Sequence, residues 1–228
     1  MLIIGLDDTD ILETRGTGHL ARQIAADLAA DYRVQGVVRH QLLRDPRVPC
    51  TKNNSSAALL LQGAGPAHAQ AVFERVKALM LADFVVGSDP GLCVAAVVPQ
   101  SIVEFGRLAQ RELVTQRMAR DLAAEHGLAL IGLGGTEGGV IGALAAAGLA
   151  ASGNDGRYVL VGRLRELAGL QPIAALLDAG IAAVQTIEGE SVAQGLVQTN
   201  KLRPARRGGR PIAVVEWAGG HWAPLKLD

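Results

Sequence analysis

The chain opens with Leu2-Ile3-Ile4-Gly5-Leu6-Asp7-Asp8-Thr9-Asp10, an aliphatic run that ends in three carboxylates within four positions. The aliphatic run predicts a short buried strand. Two carboxylates about 4 Å apart repel by roughly 4 kcal/mol at an effective dielectric constant near 20, so the cluster needs a cation, a shared proton or outward-pointing side chains. Mg²⁺ takes oxygen ligands and usually joins one or two carboxylates to nucleotide phosphates, which predicts a metal site at Asp7, Asp8 and Asp10. A solvated turn in which one aspartate caps the next helix is the alternative.

Two glycines flank a threonine at the start of the next predicted helix, in the stretch Gly16-Thr17-Gly18. The apolar residues that follow recur at helical spacing over about 18–30. A helix N-terminus presents free N–H groups and a positive dipole end, so we expect this stretch to bind phosphate, with the Thr17 hydroxyl contributing. A dinucleotide-binding turn is rejected, because nine residues separate the strand from the glycines and Gln41 stands where a ribose-binding acid is needed.

A second glycine stretch includes Gly135, Gly138 and Gly139, and it leads into an alanine-rich helix. It predicts a second phosphate or base cradle, with a tight strand-to-helix turn as the alternative. Between two predicted strands, the loop 44–56 carries two prolines and a polar half that includes Lys52 and Asn53. That half could face a phosphate, although surface loops of this composition are commonly just solvated.

Strand and helix patterns over the first hundred residues follow the order β-α-β-β-α-β, which is typical of a ferredoxin-like unit. A long amphipathic helix over 101–125, a strand near 128–133 and another over 157–162 continue the chain. From about residue 172 the pattern indicates a small antiparallel, hairpin-rich element. We therefore predict an α+β fold with a catalytic α/β region over 1–170 and a C-terminal element over 171–228 packed on it.

The 228 residues are 49% hydrophobic and only 3% aromatic, and 22 basic residues balance 22 acidic ones. This balance argues against a surface devoted to nucleic acid, so any such binding is local. Cys50 and Cys93 lack metal-ligand spacing and suggest a reducing compartment. No basic segment precedes the first apolar run, and no run is long enough to span a bilayer, so we expect a cytoplasmic protein that could form homo-oligomers.

The most basic window of the chain holds Lys201, Arg203, Arg206, Arg207 and Arg210, with no acid among them. Such a run is usually a solvated loop. The alternative is contact with a phosphate-bearing ligand or RNA, for which Arg206, Arg207 and Arg210 are the candidates.

The order and spacing of these stretches over about residues 1–162 resemble the archaeal agmatinylcytidine synthetase family, which modifies the anticodon cytidine of an isoleucine tRNA. The family's Gly-Ile-Asp-Asp-Thr-Asp opening, threonine-containing segment, Pro-x-x-Pro loop, Asn-Pro-Gly turn and Ile-Gly-Ala-Leu-Ala-Ala stretch are similar to residues 5–10, 16–20, 46–49, 89–91 and 138–146. The chain departs from the family after Pro49, where an arginine is lost and the lysine moves by one place. We also expect it to lack the family's OB domain and zinc ribbon, since two cysteines cannot form one.

The resemblance implies a kinase-like catalytic region that uses ATP and Mg²⁺, in which ATP activates an acceptor oxygen and a threonine becomes phosphorylated. Carried over, Asp7, Asp8 and Asp10 are metal and phosphate-transfer residues and Thr17 is the threonine. Our interpretation is an ATP- and Mg²⁺-dependent phosphotransferase or ligase-like enzyme whose acceptor is an unidentified small molecule. Two alternatives stay open: a tRNA cytidine-modifying enzyme that uses a partner for tRNA recognition, and a catalytically silent nucleotide-binding paralogue.

Overall fold

A computed structural model describes residues 1–51 and 53–227, which form two compact units, Met1–Ser152 and Gly153–Asp228. In unit 1 the strands are β1 (Leu2–Asp7), β2 (Arg33–Gln41), β3 (Ser55–Gln62), β4 (Gly91–Ala95) and β5 (Ala129–Gly132). The helices are α1 (Thr17–Leu28), α2 (Pro66–Ala82), α3 (Gln100–Ala109), α4 (Gln116–Glu125) and α5 (Val140–Ser152). The strands lie in the order β5-β4-β1-β3-β2, and every neighbouring pair is antiparallel. The predicted α+β class and the ferredoxin-like order of the first hundred residues are confirmed.

The sheet of unit 1 is covered on both faces. Helix α1 packs on β1, β2 and β3, whereas α5 packs on all five strands and on α3 and α4. Gly5 faces α5, because a Cβ at that position would collide with the Ala143 carbonyl. Side chains alternate along a strand, so Ile4 and Leu6 point to the α1 side. Strand β3 is accordingly buried along almost its whole length, as expected for a central strand covered on both sides.

The predicted long helix over 101–125 is wrong, since the chain forms two helices separated by residues 110–115. The carbonyl of Ala109 accepts a hydrogen bond from the Leu43 N–H at 3.0 Å instead of continuing the helix. Thr115 then caps α4, because its side chain accepts from the Met118 N–H at 3.2 Å. A contact with the loop after β2 therefore ends α3, and a local cap starts α4.

Unit 2 contains β6 (Arg157–Leu160), β7 (Leu170–Pro172), α6 (Ile173–Asp178), β8 (Ala183–Gln185), β9 (Leu196–Gln198), β10 (Ala205–Arg207), β11 (Arg210–Trp217) and β12 (Trp222–Pro224). Strands β10 and β11 form a hairpin closed by Gly208 and Gly209, both with positive φ, which suits a two-residue turn. The predicted hairpin element is present, but β8 pairs with β11 and β12 pairs with β9 in parallel. Within the described residues, no helix has the length and apolar character needed to cross a bilayer.

Candidate nucleotide and metal site

Asp7 is the last residue of β1, and its side chain points to the α5 side of the sheet. The helix approaches so closely that a Cβ at Gly142 would collide with the Asp7 carboxylate. Burial, and after it the negative charge of Asp8, raise the pKa of the Asp7 carboxyl well above its ordinary value. A glycine in the first turn of α5 is therefore what makes room for a carboxylate at the end of β1.

Asp8 directly follows the strand and has a backbone φ of 53°, in the left-handed region that asparagine and aspartate tolerate best. Burial is the main cause that raises the pKa of the Asp8 carboxyl to about 6, and the charges of Asp89 and Asp10 add to it. This carboxylate is held in an uncommon backbone conformation beside like charges. A cation would relieve that repulsion.

Asp89 joins the acidic cluster, although sequence reasoning noted it only as part of a family turn. Strands β1 and β4 are antiparallel with Asp7 opposite Gly91, so the residues that precede β4 lie beside the end of β1. The two carboxylate oxygens of Asp89 accept hydrogen bonds from the Thr136 N–H and, at 2.9 Å, from the Thr136 hydroxyl. The turn before α5 thus fixes a third carboxylate close to Asp8.

These carboxylates face one cavity of about 280 Å³, which we name the acidic cavity. Its walls come from the end of β1, the loop before β3, the turn before β4, the segment between α3 and α4, and the start of α5. They include Asp7, Asp8, Val48, Pro49, Asn54, Asp89, Gln116, Thr136, Gly138 and Gly142. Together with Glu112, four carboxyl groups line this one concave site, an arrangement that favours a cation.

The donor set of the acidic cavity fits Mg²⁺ in the mode that uses one or two carboxylates with phosphate oxygens and water. Within residues 1–51 and 53–227, no three His, Cys, Asp or Glu side chains converge closely enough to hold a metal ion by themselves. Asp7, Asp8 and Asp89 are hard oxygen donors, and the described residues that line the cavity include no histidine or cysteine, which suits Mg²⁺ rather than zinc. A metal here would need a second ligand, such as a nucleotide, to complete its coordination.

Asp10, the third predicted metal ligand, makes different contacts. Its Oδ1 accepts from the Thr17 N–H at 3.0 Å and from the Thr17 hydroxyl at 3.1 Å, and its Oδ2 accepts from the Thr51 hydroxyl at 3.3 Å. Asp10 therefore caps α1 from outside the helix, and Gly16, at the cap position itself, supplies no side chain. The Thr17 hydroxyl also accepts from the Thr9 N–H and hydroxyl at 3.3 and 3.2 Å.

Asp10 and Thr17 line a second depression of about 530 Å³, which we name the polar groove. It lies on the α1 side of the sheet and includes Gly16 and Gly18 of the predicted phosphate stretch. Polar and charged side chains of both signs complete it, and they include Glu13, His19, Arg22, Arg39, Thr51, Asn53 and Ser55. A helix N-terminus flanked by guanidinium groups is a favourable environment for phosphate.

The loop between β2 and β3 contributes to both depressions. Val48 and Pro49 line the acidic cavity, whereas Thr51 and Asn53 line the polar groove. Lys52, which we predicted to bind the cofactor, lies outside the described residues. Arg47 pairs with Asp45 at 2.8 Å on the surface, and this interaction lowers the pKa of the Asp45 carboxyl to about 2.

The second glycine stretch has a largely structural geometry. Gly138 lines the acidic cavity, but the Gly139 N–H donates to the Asp89 carbonyl at 2.9 Å, and a Cβ on Gly139 would collide with that carbonyl. Gly135 has a φ of +60° and lies against the Asp89 carboxylate. The turn thus brings α5 onto β1 and β4 and positions Asp89. The predicted cofactor contacts of these three glycines stay predictions.

The candidate phosphate or RNA contacts of the basic window have different exposures. Arg206 is only 4% exposed, and its guanidinium donates to the Tyr158 hydroxyl at 2.5 Å and to the Gly209 carbonyl at 2.9 Å. Arg207 is half-buried, and the exposed Arg210 donates to the Ala182 carbonyl at 3.3 Å. Arg206 therefore stabilises the interior of unit 2, and the predicted phosphate or RNA contacts of the three arginines stay predictions.

In comparisons with known proteins, the chain is similar to solved structures but matches no sequence family. No family model matches the chain, and no curated protein matches it significantly. Its fold is similar to that of a tRNA fluorescent labelling enzyme, with 19% identity over 64% of this chain and 35% of that chain and a TM-score of 0.57.

Two structures of TiaS are similar to nearly the same degree. The complex of TiaS with an isoleucine tRNA and ATP has a TM-score of 0.56 with 19% identity over 64% of this chain and 36% of that chain. Apo TiaS, the agmatidine synthetase for that tRNA, has a TM-score of 0.54 with 19% identity over 64% and 35%. The chain thus spans about a third of the length of the structures it matches. The predicted resemblance to this synthetase family is confirmed at the level of the fold.

Proposed function

We propose that unit 1 is an ATP- and Mg²⁺-dependent phosphotransferase or ligase-like core that activates an oxygen atom of an acceptor. The observation that carries this proposal is the pairing of an acidic cavity with a groove of mixed charge around the loop after β1. Four carboxyl groups and no cationic side chain are found among the described residues that line the acidic cavity, whereas the polar groove combines a helix N-terminus with Arg22 and Arg39 beside Asp10 and Glu13. Phosphoryl transfer needs positioning and charge neutralisation more than it needs covalent chemistry, and these environments supply both.

In this proposal the carboxylates of the acidic cavity hold Mg²⁺ together with nucleotide phosphates. When bound, the metal would neutralise charge on the phosphates. Asp10 orients Thr17 because it accepts hydrogen bonds from the Thr17 N–H and, at 3.1 Å, from the Thr17 hydroxyl. The same carboxylate would take up the hydroxyl proton if Thr17 were phosphorylated. Thr17 lines the polar groove, so a phosphate bound there would meet this hydroxyl. The structure of a TiaS complex with ATP supports a nucleotide as the ligand.

ATP turnover tests this proposal directly. Purified protein should hydrolyse or transfer the terminal phosphate of ATP when Mg²⁺ is present and should lose that activity in EDTA. Binding of ATP without any turnover, with or without candidate acceptors, would favour the silent nucleotide-binding paralogue instead. We favour a small-molecule acceptor over tRNA because the chain has no net charge. Mass spectrometry of molecules retained during purification would identify it.

A tRNA acceptor is the second candidate, and two observations favour it. Solved TiaS structures contain an isoleucine tRNA, and one of them also contains an ATP analogue with agmatine. In unit 2, Trp217 is 59% exposed and lies edge-to-face with Trp222, with ring centroids 5.1 Å apart. Exposed aromatic rings stack on unpaired bases. Incorporation of labelled agmatine into tRNA with Mg-ATP would identify this acceptor, and the reaction would take place in the cytoplasm.

A further inference from the structure

Unit 2 contains a cluster of cationic side chains that the proposed catalytic core does not use. A cavity of about 190 Å³ is lined by Arg165, Lys201 and Arg203 together with residues of β6, the turn after it and the segment after β9. The other walls are Tyr158, Val159, Leu160, Val161, Leu164, Leu167, Thr199, Asn200 and Leu202. None of these described lining residues is acidic. We name this depression the cationic cavity.

The guanidinium groups of the cationic cavity make few bonds within the protein. Arg165 donates to the Val159 carbonyl at 3.2 Å, and Arg203 donates to the Leu202 carbonyl at 2.9 Å. Each guanidinium carries five N–H donors, so most of them are left for a ligand. Within the described part of the chain, neither arginine forms an ion pair with a carboxylate.

Like charges surround Arg203. Burial, and after it the positive charges of Arg165 and Arg157, lower the pKa of the Arg203 guanidinium. Arg157 is itself only 8% exposed. The guanidinium groups of Arg165 and Arg203, which both line the cavity, repel each other, and a bound anion would relieve the repulsion.

The segment that carries Lys201 and Arg203 is tied down by hydrogen bonds. The Thr199 hydroxyl donates to the Gly169 carbonyl at 2.9 Å, and the Gly169 N–H donates to the Asn200 side chain at 3.2 Å. Lys201 has a φ of 64°, an uncommon backbone conformation for a residue other than glycine. The cationic side chains therefore start from a fixed backbone, which lowers the entropic cost of binding.

We propose that the cationic cavity binds a phosphate group through Arg165, Arg203 and Lys201. Arginine recognises phosphate with paired, charge-assisted hydrogen bonds, and lysine adds a point charge. At about 190 Å³ the cavity is smaller than the pockets of about 300–1,000 Å³ that enclose whole ligands, so it suits a free phosphate or one phosphate of a larger molecule.

Calorimetric titration of the full chain with inorganic phosphate, at constant ionic strength in chloride, tests the proposal. Arg165→Gln and Arg203→Gln should each weaken binding at least tenfold. Arg163→Gln is the matched control, because Arg163 is exposed two residues from Arg165 and does not line the cavity. It should change the affinity less than twofold. A parallel titration with a short single-stranded RNA distinguishes a backbone phosphate from a free one.

Binding of either ligand that is lost in Arg165→Gln and kept in Arg163→Gln supports the cationic cavity and identifies the source of the phosphate. Arg165 is exposed, so its substitution tests the site even if Arg203→Gln fails to fold. Absence of binding to both ligands, or equal losses in Arg163→Gln and Arg165→Gln, would overturn the proposal. Binding lost in Arg39→Gln but not in Arg165→Gln would also overturn it, since the phosphate would then lie in the polar groove.

Discussion

The acidic cavity and the polar groove begin within three residues of each other and differ in charge, since only the groove has cationic side chains among its described lining residues. Asp7 and Asp8 line the first, where α5 and the turn before β4 exclude water and raise the carboxyl pKa values. Asp10 lines the second, where it caps α1 among arginine and hydroxyl groups. One acidic motif is thus divided between the two faces of a sheet. Neighbouring carboxylates of the same motif therefore have different roles, and substitutions should separate them.

The largest effect should follow Asp8→Asn. Asparagine tolerates the left-handed backbone conformation of this position, so the fold should persist. Loss of the charge should lower Mg²⁺-dependent ATP turnover at least 100-fold, about 2.7 kcal/mol. Steady-state kinetics at saturating Mg²⁺ measures this loss. Asp45→Asn, which changes a loop carboxylate paired with Arg47, is the control and should retain wild-type turnover.

A smaller effect is expected at Thr17, on the side of the polar groove. Thr17→Val keeps the shape but removes the hydroxyl that bonds to Asp10, and turnover should fall at least tenfold, about 1.4 kcal/mol. Thr17→Ser retains the hydroxyl and should keep most of the activity. Phosphopeptide mapping after incubation with Mg-ATP should find a phosphate on Thr17. Wild-type turnover in Thr17→Val, with no phosphopeptide in the native protein, would show that this hydroxyl has only a structural role.

Arg39→Gln should weaken ATP binding several-fold, because it removes one cation from the wall of the polar groove. We expect a loss of roughly 1 kcal/mol that shrinks as salt is added, since a partly exposed charge is screened. Arg33, exposed at the start of the same strand, provides the matched variant Arg33→Gln. If Arg33→Gln weakens binding as much as Arg39→Gln does, the effect belongs to the overall charge and not to the groove.

The smallest effect concerns the pH dependence of stability. The folded-state pKa of Asp8, about 6, lies above the ordinary value of 3.8, so the folded protein binds more protons between these values. The free energy of unfolding in EDTA should therefore fall as pH rises from about 4 to 6, by roughly 1 kcal/mol after allowance for solvent screening. Urea unfolding across this range measures the slope. Asp8→Asn should make the slope smaller, with Asp7 accounting for what is left, whereas Asp121→Asn, on the exposed side of α4, should not change it.

Much of unit 1 could be predicted because its signals are local. The apolar periodicity of α1 and the aliphatic runs of β1, β3 and β4 depend only on neighbouring residues, and they indicate most of the ferredoxin-like order. The interruption of the predicted helix over 101–125 depends on Leu43, a residue of a distant segment, and no local pattern reports that contact. The parallel pairings of unit 2 likewise join segments that are distant in sequence, so no local pattern predicts them.

The sequence named several residues that line the two depressions, but it did not predict which of them lie together. Asp7 and Asp8 line one cavity as a pair, but Asp10 is separated from them by its bonds to Thr17. Asp89 was missed, although a usable signal existed. In the predicted fold β4 runs antiparallel to β1, so an acidic residue just before β4 belongs beside Asp7. Arg39 was also missed, because it starts the polar end of β2 with His40 and Gln41 and no local pattern distinguishes it from them.

The most direct test of the account is the affinity for ATP, measured by calorimetry with Mg²⁺ and with EDTA, in the wild type, Asp8→Asn and Arg39→Gln. The division between the acidic cavity and the polar groove predicts that Asp8→Asn abolishes the gain from Mg²⁺ but keeps the affinity seen in EDTA. Arg39→Gln should lower both affinities by a similar factor. Equal wild-type affinity with Mg²⁺ and with EDTA, or an undiminished Mg²⁺ gain in Asp8→Asn, would contradict the account.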